Sequence, residues 1–301
     1  RQALAFDVNQ ATASAEQKVP MLNPTQRNIF DAVVGAMETT EVGGGDRAFF
    51  VDGPGGSGKT CLYEALIHYV HSKGKIALAC AISGIAGTLL PGGTTAHSLF
   101  GLPLEMTKHD AVSSIKAQEG RAEVLRRAAI ILWDEASTIP GGAHDCVDRL
   151  LRDLMVSDLP FGGKVIILGG DTRQFLPVVP RADEAEIIAN TILHHYTLKD
   201  GTFRKFTLTQ NMRLLGASGE DMSHREWLIK LGGGSLEPEA ELHPYATELP
   251  RHLCMEDGVS VEDFVSWVYP DIHRKVNACL ETWKTAADDT WFCERSMLTP
   301  L

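Results

Sequence analysis

Gly53-Pro54-Gly55-Gly56-Ser57-Gly58-Lys59-Thr60 is the stretch that decides the fold. It fits the pattern G-x-x-x-x-G-K-[ST], follows the apolar run Phe49-Phe50-Val51 and opens a segment with helical spacing. Glycines let successive backbone N–H groups turn inward on phosphates, and a helix N-terminus adds the positive end of its dipole. On this reading Gly53, Pro54, Gly55, Gly56, Ser57 and Gly58 cradle the phosphates of ATP. Lys59 reaches the β- and γ-phosphates, and Thr60 offers its hydroxyl to Mg2+. A chance match in a glycine-rich turn explains the letters but not the strand before and the helix after.

Working outward, four short runs at 48–51, 76–82, 129–133 and 165–168 are apolar without alternation. Strands covered by helices on both faces read this way. The segment 58–73 between the first two carries Leu62, Ala65, Leu66, Tyr69 and Val70 as one helical stripe. Strands separated by crossover helices predict a parallel α/β sheet. Upstream, Asn23 can cap a helix whose first residue is Pro24, with Ile29, Val33, Val34 and Met37 at helical spacing. Residues 1–20 are polar and Ala-rich without periodicity, and are expected to be a flexible lead-in. The first, ATP-binding domain is expected over 21–202 and a second, partial domain over 203–301. In the latter Phe206 and Leu208 alternate like a strand, helices are expected near 222–231 and 260–269, and a last strand over 291–298.

The 301 residues are 44% hydrophobic, enough for a sizeable core, and carry a formal charge of −11. That balance excludes a nucleic-acid coat protein, which relies on Lys and Arg, so any DNA contact is expected in a local groove. No run of about 18 apolar residues suggests a membrane span. The six cysteines form no close CxxC pair and read as reduced thiols, giving an intracellular expectation.

Two further strand ends carry chemistry. The run Ile130-Ile131-Leu132-Trp133 ends in Asp134-Glu135. In open parallel sheets ligands gather at strand carboxyl ends, so both acids are expected to face the phosphate loop. Asp134 is suited to Mg2+, and Glu135 to orienting and deprotonating the attacking water. The other reading is a solvated turn after a strand. Gly169-Gly170-Asp171-Thr172-Arg173-Gln174 follows the strand at 165–168, and its Gln174 can sense the γ-phosphate and the attacking water. An ordinary Gly-Asp turn is the alternative. Gln26, in a first helical turn, is by residue type an exposed position.

Taken together, GPGGSGKT, AISGIAG at 81–87, TTAHSLFGLP at 94–103, WDEAS at 133–137, GGDTRQFLPVVP at 169–180 and LTQNMR at 208–213 resemble the petite-integration-frequency (PIF-one) helicases of superfamily one, close to the RecD-like enzymes. The resemblance continues through REWLIKLGGG at 225–234 and ERSMLTP at 294–300. It implies a RecA-like P-loop fold followed by a partial second RecA-like domain, and an ATP-driven motor moving 5′ to 3′ along single-stranded DNA. By position, Gln26 matches an adenine-contacting glutamine, and Lys59 and Thr60 match the phosphate and Mg2+ ligands. Asp134, Glu135 and Gln174 match the hydrolytic set, and Arg213 matches an arginine that reaches the γ-phosphate from the second domain.

The same resemblance puts Ser83, Gly84, Thr95, His97 and Phe100 on the DNA track. There hydroxyls and amides hold phosphates while His97 and Phe100 flank bases. The plainer alternative makes Phe100 core and His97 a loop histidine. Implied partners are single-stranded and forked duplex DNA, with no membrane and a monomeric chain. The implied processes are repair, recombination, telomere maintenance or helitron-type transposition, and the implied address is nuclear or mitochondrial. Because the family's later motifs lie beyond Leu301, this stretch alone is expected to bind Mg-ATP but to unwind little duplex. Two other classes remain open at this point. One is a P-loop NTPase without a DNA track, and the other a non-catalytic DNA-binding remnant of a mobile-element helicase.

Overall fold

The computed structural model describes residues 6–39, 47–104, 106, 111–174, 176–194, 200–212, 219–236, 249, 254–256 and 258–272. Helix α1 (Val8–Lys18) begins after Asp7, whose carboxylate accepts the backbone N–H groups of Asn9 and Gln10. Helix α2 (Pro24–Glu38) begins after Asn23 in a reciprocal capping box. Strand β1 (Ala48–Asp52) leads through the phosphate loop into α3 (Lys59–Ser72), and β2 (Ile76–Ala81) follows. The short α4 (Gly84–Thr88), β3 (Thr94–Thr95) and α5 (Ala96–Phe100) come next, then α6 (Gly120–Arg127), β4 (Ala128–Asp134) and α7 (Gly141–Met155). Strand β5 (Val165–Gly170), α8 (Glu184–Ala189), β6 (Phe203–Thr207), α9 (Gly219–Gly232) and α10 (Val261–Val268) complete the described elements.

The sheet has strand order β3-β2-β4-β5-β1-β6, and every pairing is parallel. The expected parallel α/β architecture is therefore the observed one. Alternate residues of each central strand serve the two faces. Phe49, Val51, Ile130, Leu132 and Ile167 pack with α2 and α3, while Phe50, Ile131, Trp133, Ile166 and Leu168 pack with α6 and α7. Because both faces are covered, the strands carry no polar alternation. Each fully buried large apolar side chain contributes roughly 1.5–3 kcal/mol, which makes this double-sided core the main source of stability.

Two expectations are corrected. Over residues 8–18 the lead-in, expected without periodic structure, forms helix α1, which packs along α3. Its buried face is only Ala11 and Ala15, four residues apart, so close approach of small side chains replaces a bulky stripe. Lys18 pairs with Glu64 at 2.6 Å, and the Phe6 ring stacks on His71 at 4.0 Å. The expected boundary at 202 also fails, since β6 pairs with β1 in the same sheet, Ala48 opposite Phe203. The chain divides into compact units Arg1–Ser235 and Leu236–Leu301. In the second unit, α10 is capped by Ser260, whose hydroxyl oxygen accepts the Asp263 N–H at 3.1 Å. The strand expected over 291–298 lies outside the described residues. Among the described residues no helix is long and apolar enough to cross a membrane, and Cys61, Cys80 and Cys146 are free thiols.

Candidate nucleotide-binding site

The carboxyl ends of β1, β4 and β5 converge on one cavity of about 450 Å3, lined by residues 54–61 with Asp134, Glu135, Gly170, Asp171, Gln174 and Met212. This size suits a nucleotide. The loop is tied to the sheet by the Gly53 N–H, which donates to the Gly170 carbonyl at 3.0 Å. Gly58 stands at φ 81° as the N-cap of α3, where a Cβ would fall 2.3 Å from the Gln26 amide nitrogen. Only glycine meets both demands. The Lys59 ammonium donates to the carbonyl oxygens of Gly53 and Pro54. Burial lowers its pKa, while the nearby carboxylates of Asp134, Asp171 and Asp52 oppose that shift.

Asp134 and Glu135 both line this cavity together with the phosphate loop. Burial raises the Asp134 pKa against the pull of the Glu135 N–H, which donates to its Oδ1 at 2.9 Å, and of Lys59. Glu135 lies in the left-handed region at φ 54°, an uncommon conformation for a residue with a Cβ. Burial and the neighbouring Asp134 charge raise its pKa too. Thr60 and Asp134 present oxygen donors to the same cavity, and no group of three or more His, Cys, Asp or Glu could hold a metal among the described residues. One hydroxyl and one carboxylate fit Mg2+, which takes few protein ligands and completes its shell from phosphates and water.

Three contributors escape the sequence reading. Asp171 accepts the Gln174 amide at 3.1 Å on one carboxylate oxygen and the Arg173 N–H at 3.1 Å on the other, so it orients the predicted Gln174. Asp52 accepts both the N–H and the hydroxyl of Thr172 at 3.1 Å, joining the ends of β1 and β5. Met212 reaches the cavity from the stretch after β6. Acids at the carboxyl ends of strands were the available signal for the first two, and Met212 lies in the quoted stretch 208–213. Arg213, its neighbour, lies outside the described residues.

Gln26, expected as an adenine contact, lies against the phosphate loop. It is 1% exposed, its Oε1 accepts the Asn23 N–H at 2.9 Å, and its Nε2 donates to the carbonyls of Ser57 and Gly58 at 3.4 and 3.2 Å. The amide thus holds α2 against the phosphate loop, and it is buried where its residue type suggests exposure. Among the residues expected on a DNA track, Ser83, Gly84 and Thr95 are brought to one edge by the pairing of β3 with β2. Ser83 and Thr95 each accept a backbone N–H at 3.1 Å as caps of α4 and α5. His97 is half-buried. Phe100 is a correction: it is wholly buried with its ring 5.3 Å from that of Trp133, so it is core and cannot stack on a base.

A family model described as PIF1-like helicase matches residues 21–241. An uncharacterized protein 030L of Invertebrate iridescent virus 6 is 30% identical over 226 residues, covering 72% of this chain and 41% of the relative. The ATP-dependent DNA helicase Pif1 of Bdellovibrio bacteriovorus is 35% identical over 130 residues, covering 43% of this chain and 29% of its own length. Among solved structures, a Pif1 helicase from Bacteroides in complex with ADP-AlF3 and single-stranded DNA superposes with a TM-score of 0.57 at 27% identity, over 71% of this chain and 47% of that one. The chain thus spans less than half the length of these relatives. The family model covers most of the chain, which therefore belongs to the PIF1-like helicase family.

Proposed function

We propose that this chain is the ATP-binding part of a DNA motor that couples ATP hydrolysis to 5′ to 3′ movement along single-stranded DNA. The observation that carries the reading is the convergence of Lys59, Asp134, Glu135 and Gln174 on one cavity. Lys59 and the loop amides bind the phosphates, and Thr60 and Asp134 hold Mg2+, which neutralises phosphate charge. Glu135 takes the proton of the attacking water as the bond from the γ-phosphorus to the β,γ-bridging oxygen breaks, and Gln174, oriented by Asp171, positions that water. By its match to the family motif, Arg213 is assigned to the same phosphates, where a guanidinium stabilises developing charge.

Single-stranded DNA lies in this reading across the edge bearing Ser83, Gly84, Thr95 and His97. Related helicases have been solved with single-stranded and with forked DNA, which supports both as partners. A role in repair, recombination, telomere maintenance or transposition, within the nucleus or mitochondrion and as a monomer, completes the proposal. The test is ATP turnover with and without a single-stranded oligonucleotide, with Lys59→Ala as blank. Stimulation by DNA is expected; turnover indifferent to DNA would assign the chain to another class of P-loop NTPase.

A further inference from the structure

Each of the four central strands begins immediately after a cation. Arg47 precedes β1, Lys75 precedes β2, Arg127 precedes β4 and Lys164 precedes β5. These strands lie side by side as β2-β4-β5-β1, so the four residues form a row across the amino-terminal edge of the sheet. At the usual strand spacing of ~4.8 Å the row is roughly 14 Å long. It lies at the opposite end of the strands from the nucleotide cavity. All four side chains line one cavity of about 690 Å3, and none of its described lining residues is acidic. In a chain with 39 acidic and 28 basic residues, this is a local reversal of sign.

Helix ends explain two of the four. Arg47 donates to the carbonyls of Thr39 and Gly163, and Lys164 to those of Arg126 and Ala128. Cations suit the exposed carbonyls that close α2 and α6. Those bonds fix the two heads without cancelling their charge. The Lys75 and Arg127 side chains are exposed and make no ion pair or hydrogen bond among the described residues, so helix capping does not account for their charged heads. Two fixed and two adaptable positive heads in a line suit an extended polyanion better than one small ion.

We propose that this edge is a second phosphate-binding surface, taking successive phosphates of a nucleic-acid backbone. It is separate from the track at the carboxyl-terminal edge and does not rest on that assignment. A backbone seated here neutralises four mutually repelling charges and releases counterions, so binding is salt-dependent and indifferent to base sequence. It also reverses the effect on Lys164, whose pKa burial and the Arg47 charge lower to about 8.

The test compares the parent chain with Lys75→Glu/Arg127→Glu and with a control of equal charge change, Lys116→Glu/Lys205→Glu, whose side chains are exposed and outside the row. Affinity for a labelled mixed-sequence single strand is read by anisotropy across a salt series. Unfolding midpoints check that each variant is folded. For the edge variant we expect at least about a tenfold loss at low salt, and a slope of log K against log salt smaller by about 1.4, at ~0.7 per phosphate on a single strand. ATP-analogue affinity stays at the parent value, and the control stays within about threefold of the parent.

In the parent, the oligonucleotide should raise the Lys164 titration midpoint, read by NMR of the lysine side chain, while inorganic phosphate at the same phosphate concentration moves it little. Parent-like affinity and slope in the edge variant overturn the proposal, as does an equal loss in the control. A Lys164 signal moved by inorganic phosphate but not by the oligonucleotide overturns it in favour of a small-anion site. Failure of the motor reading shows instead as DNA-indifferent ATP turnover, which these variants leave untouched.

Discussion

Met212 donates its backbone N–H to the carbonyl oxygen of Gly56 at 2.7 Å, which fastens the stretch after β6 to the middle of the phosphate loop. A second bond, from the Leu208 N–H to the Asp52 carbonyl at 2.8 Å, holds the start of that stretch against the end of β1. The Met212 sulfur accepts the Asn23 side-chain amide at 3.4 Å. The residues leading to Arg213 are thus anchored on the nucleotide cavity through backbone bonds that any side chain permits.

This anchoring separates the backbone role of Met212 from its side-chain role. Met212→Ala keeps the bond to Gly56 but removes a wall of the cavity. ATP-analogue affinity is expected to fall about three- to tenfold, or roughly 1 kcal/mol, with little change in the unfolding midpoint. Titration calorimetry on both proteins measures it, and equal affinity would remove the Met212 side chain from the nucleotide site.

Gly169 on β5 is set by a contact on the far side of the strand. A Cβ there would fall 1.7 Å from the Tyr63 hydroxyl oxygen and 3.2 Å from Asp134 Oδ1. Gly169→Ala is expected to cost about 1–3 kcal/mol through overpacking. The Tyr63 hydroxyl is buried and has no hydrogen-bond partner among the described residues, so Tyr63→Phe alone should change stability by less than about 1 kcal/mol. In the double variant the Phe ring relieves the closest clash, and part of the loss should return. Urea unfolding of the three variants reads this, and a parent-like midpoint for Gly169→Ala would show that the close approach is absent.

What was legible in the sequence follows from which contacts are local. The runs that became β1, β2, β4 and β5 were readable because burial on both faces leaves an uninterrupted apolar signature. The cap at Asn23 and the phosphate loop were readable because their partners lie within a few residues. Helix α1 was not, since its buried face is two alanines whose value depends on how closely α3 approaches. The placement of β6 beside β1 was not, because Phe203 and Phe206 fit a strand of any sheet equally well. At the site, Gln174 was visible in its motif, whereas its orientation by Asp171 and the arrival of Met212 depend on the folded chain. Phe100 was misplaced because an aromatic in a loop motif has the same letters whether it faces a base or Trp133.

Lys164 gives a pH test of the fold. Its pKa falls from an ordinary 10.5 to about 8 in the folded chain. Between those values the unfolded chain carries a proton that the folded one has shed, so stability from this group rises with pH across that window. Below about 8 both states are protonated and the dependence vanishes. Lys164→Met loses two bonds to carbonyls and is expected to be less stable throughout. Its urea midpoint should also lack this part of the rise between about pH 8 and 10, seen as a widening gap to the parent. A gap constant with pH would mean that the Lys164 pKa is not lowered.

The division of labour between Lys59 and Glu135 gives the sharpest test of the chemistry. In the proposed mechanism Lys59 is a ligand of the phosphates, so Lys59→Ala should lose both affinity for ATP and turnover. Glu135 is placed to act on water, so Glu135→Gln should bind Mg-ATP within about threefold of the parent and lose about 10²- to 10⁴-fold in rate, the range for removing a general base. The left-handed backbone at Glu135 makes glutamine a fair replacement, since it keeps the Cβ and the side-chain length and changes only the charge. Asp134 beside it separates the two outcomes further. Asp134→Asn should weaken the dependence on Mg2+, because it removes a metal ligand and leaves the base in place. Binding by titration calorimetry and single-turnover hydrolysis on the same preparations distinguish these effects. If Glu135→Gln hydrolyses ATP at the parent rate, the base lies elsewhere, and the pairing of Asp134 for metal with Glu135 for water is wrong.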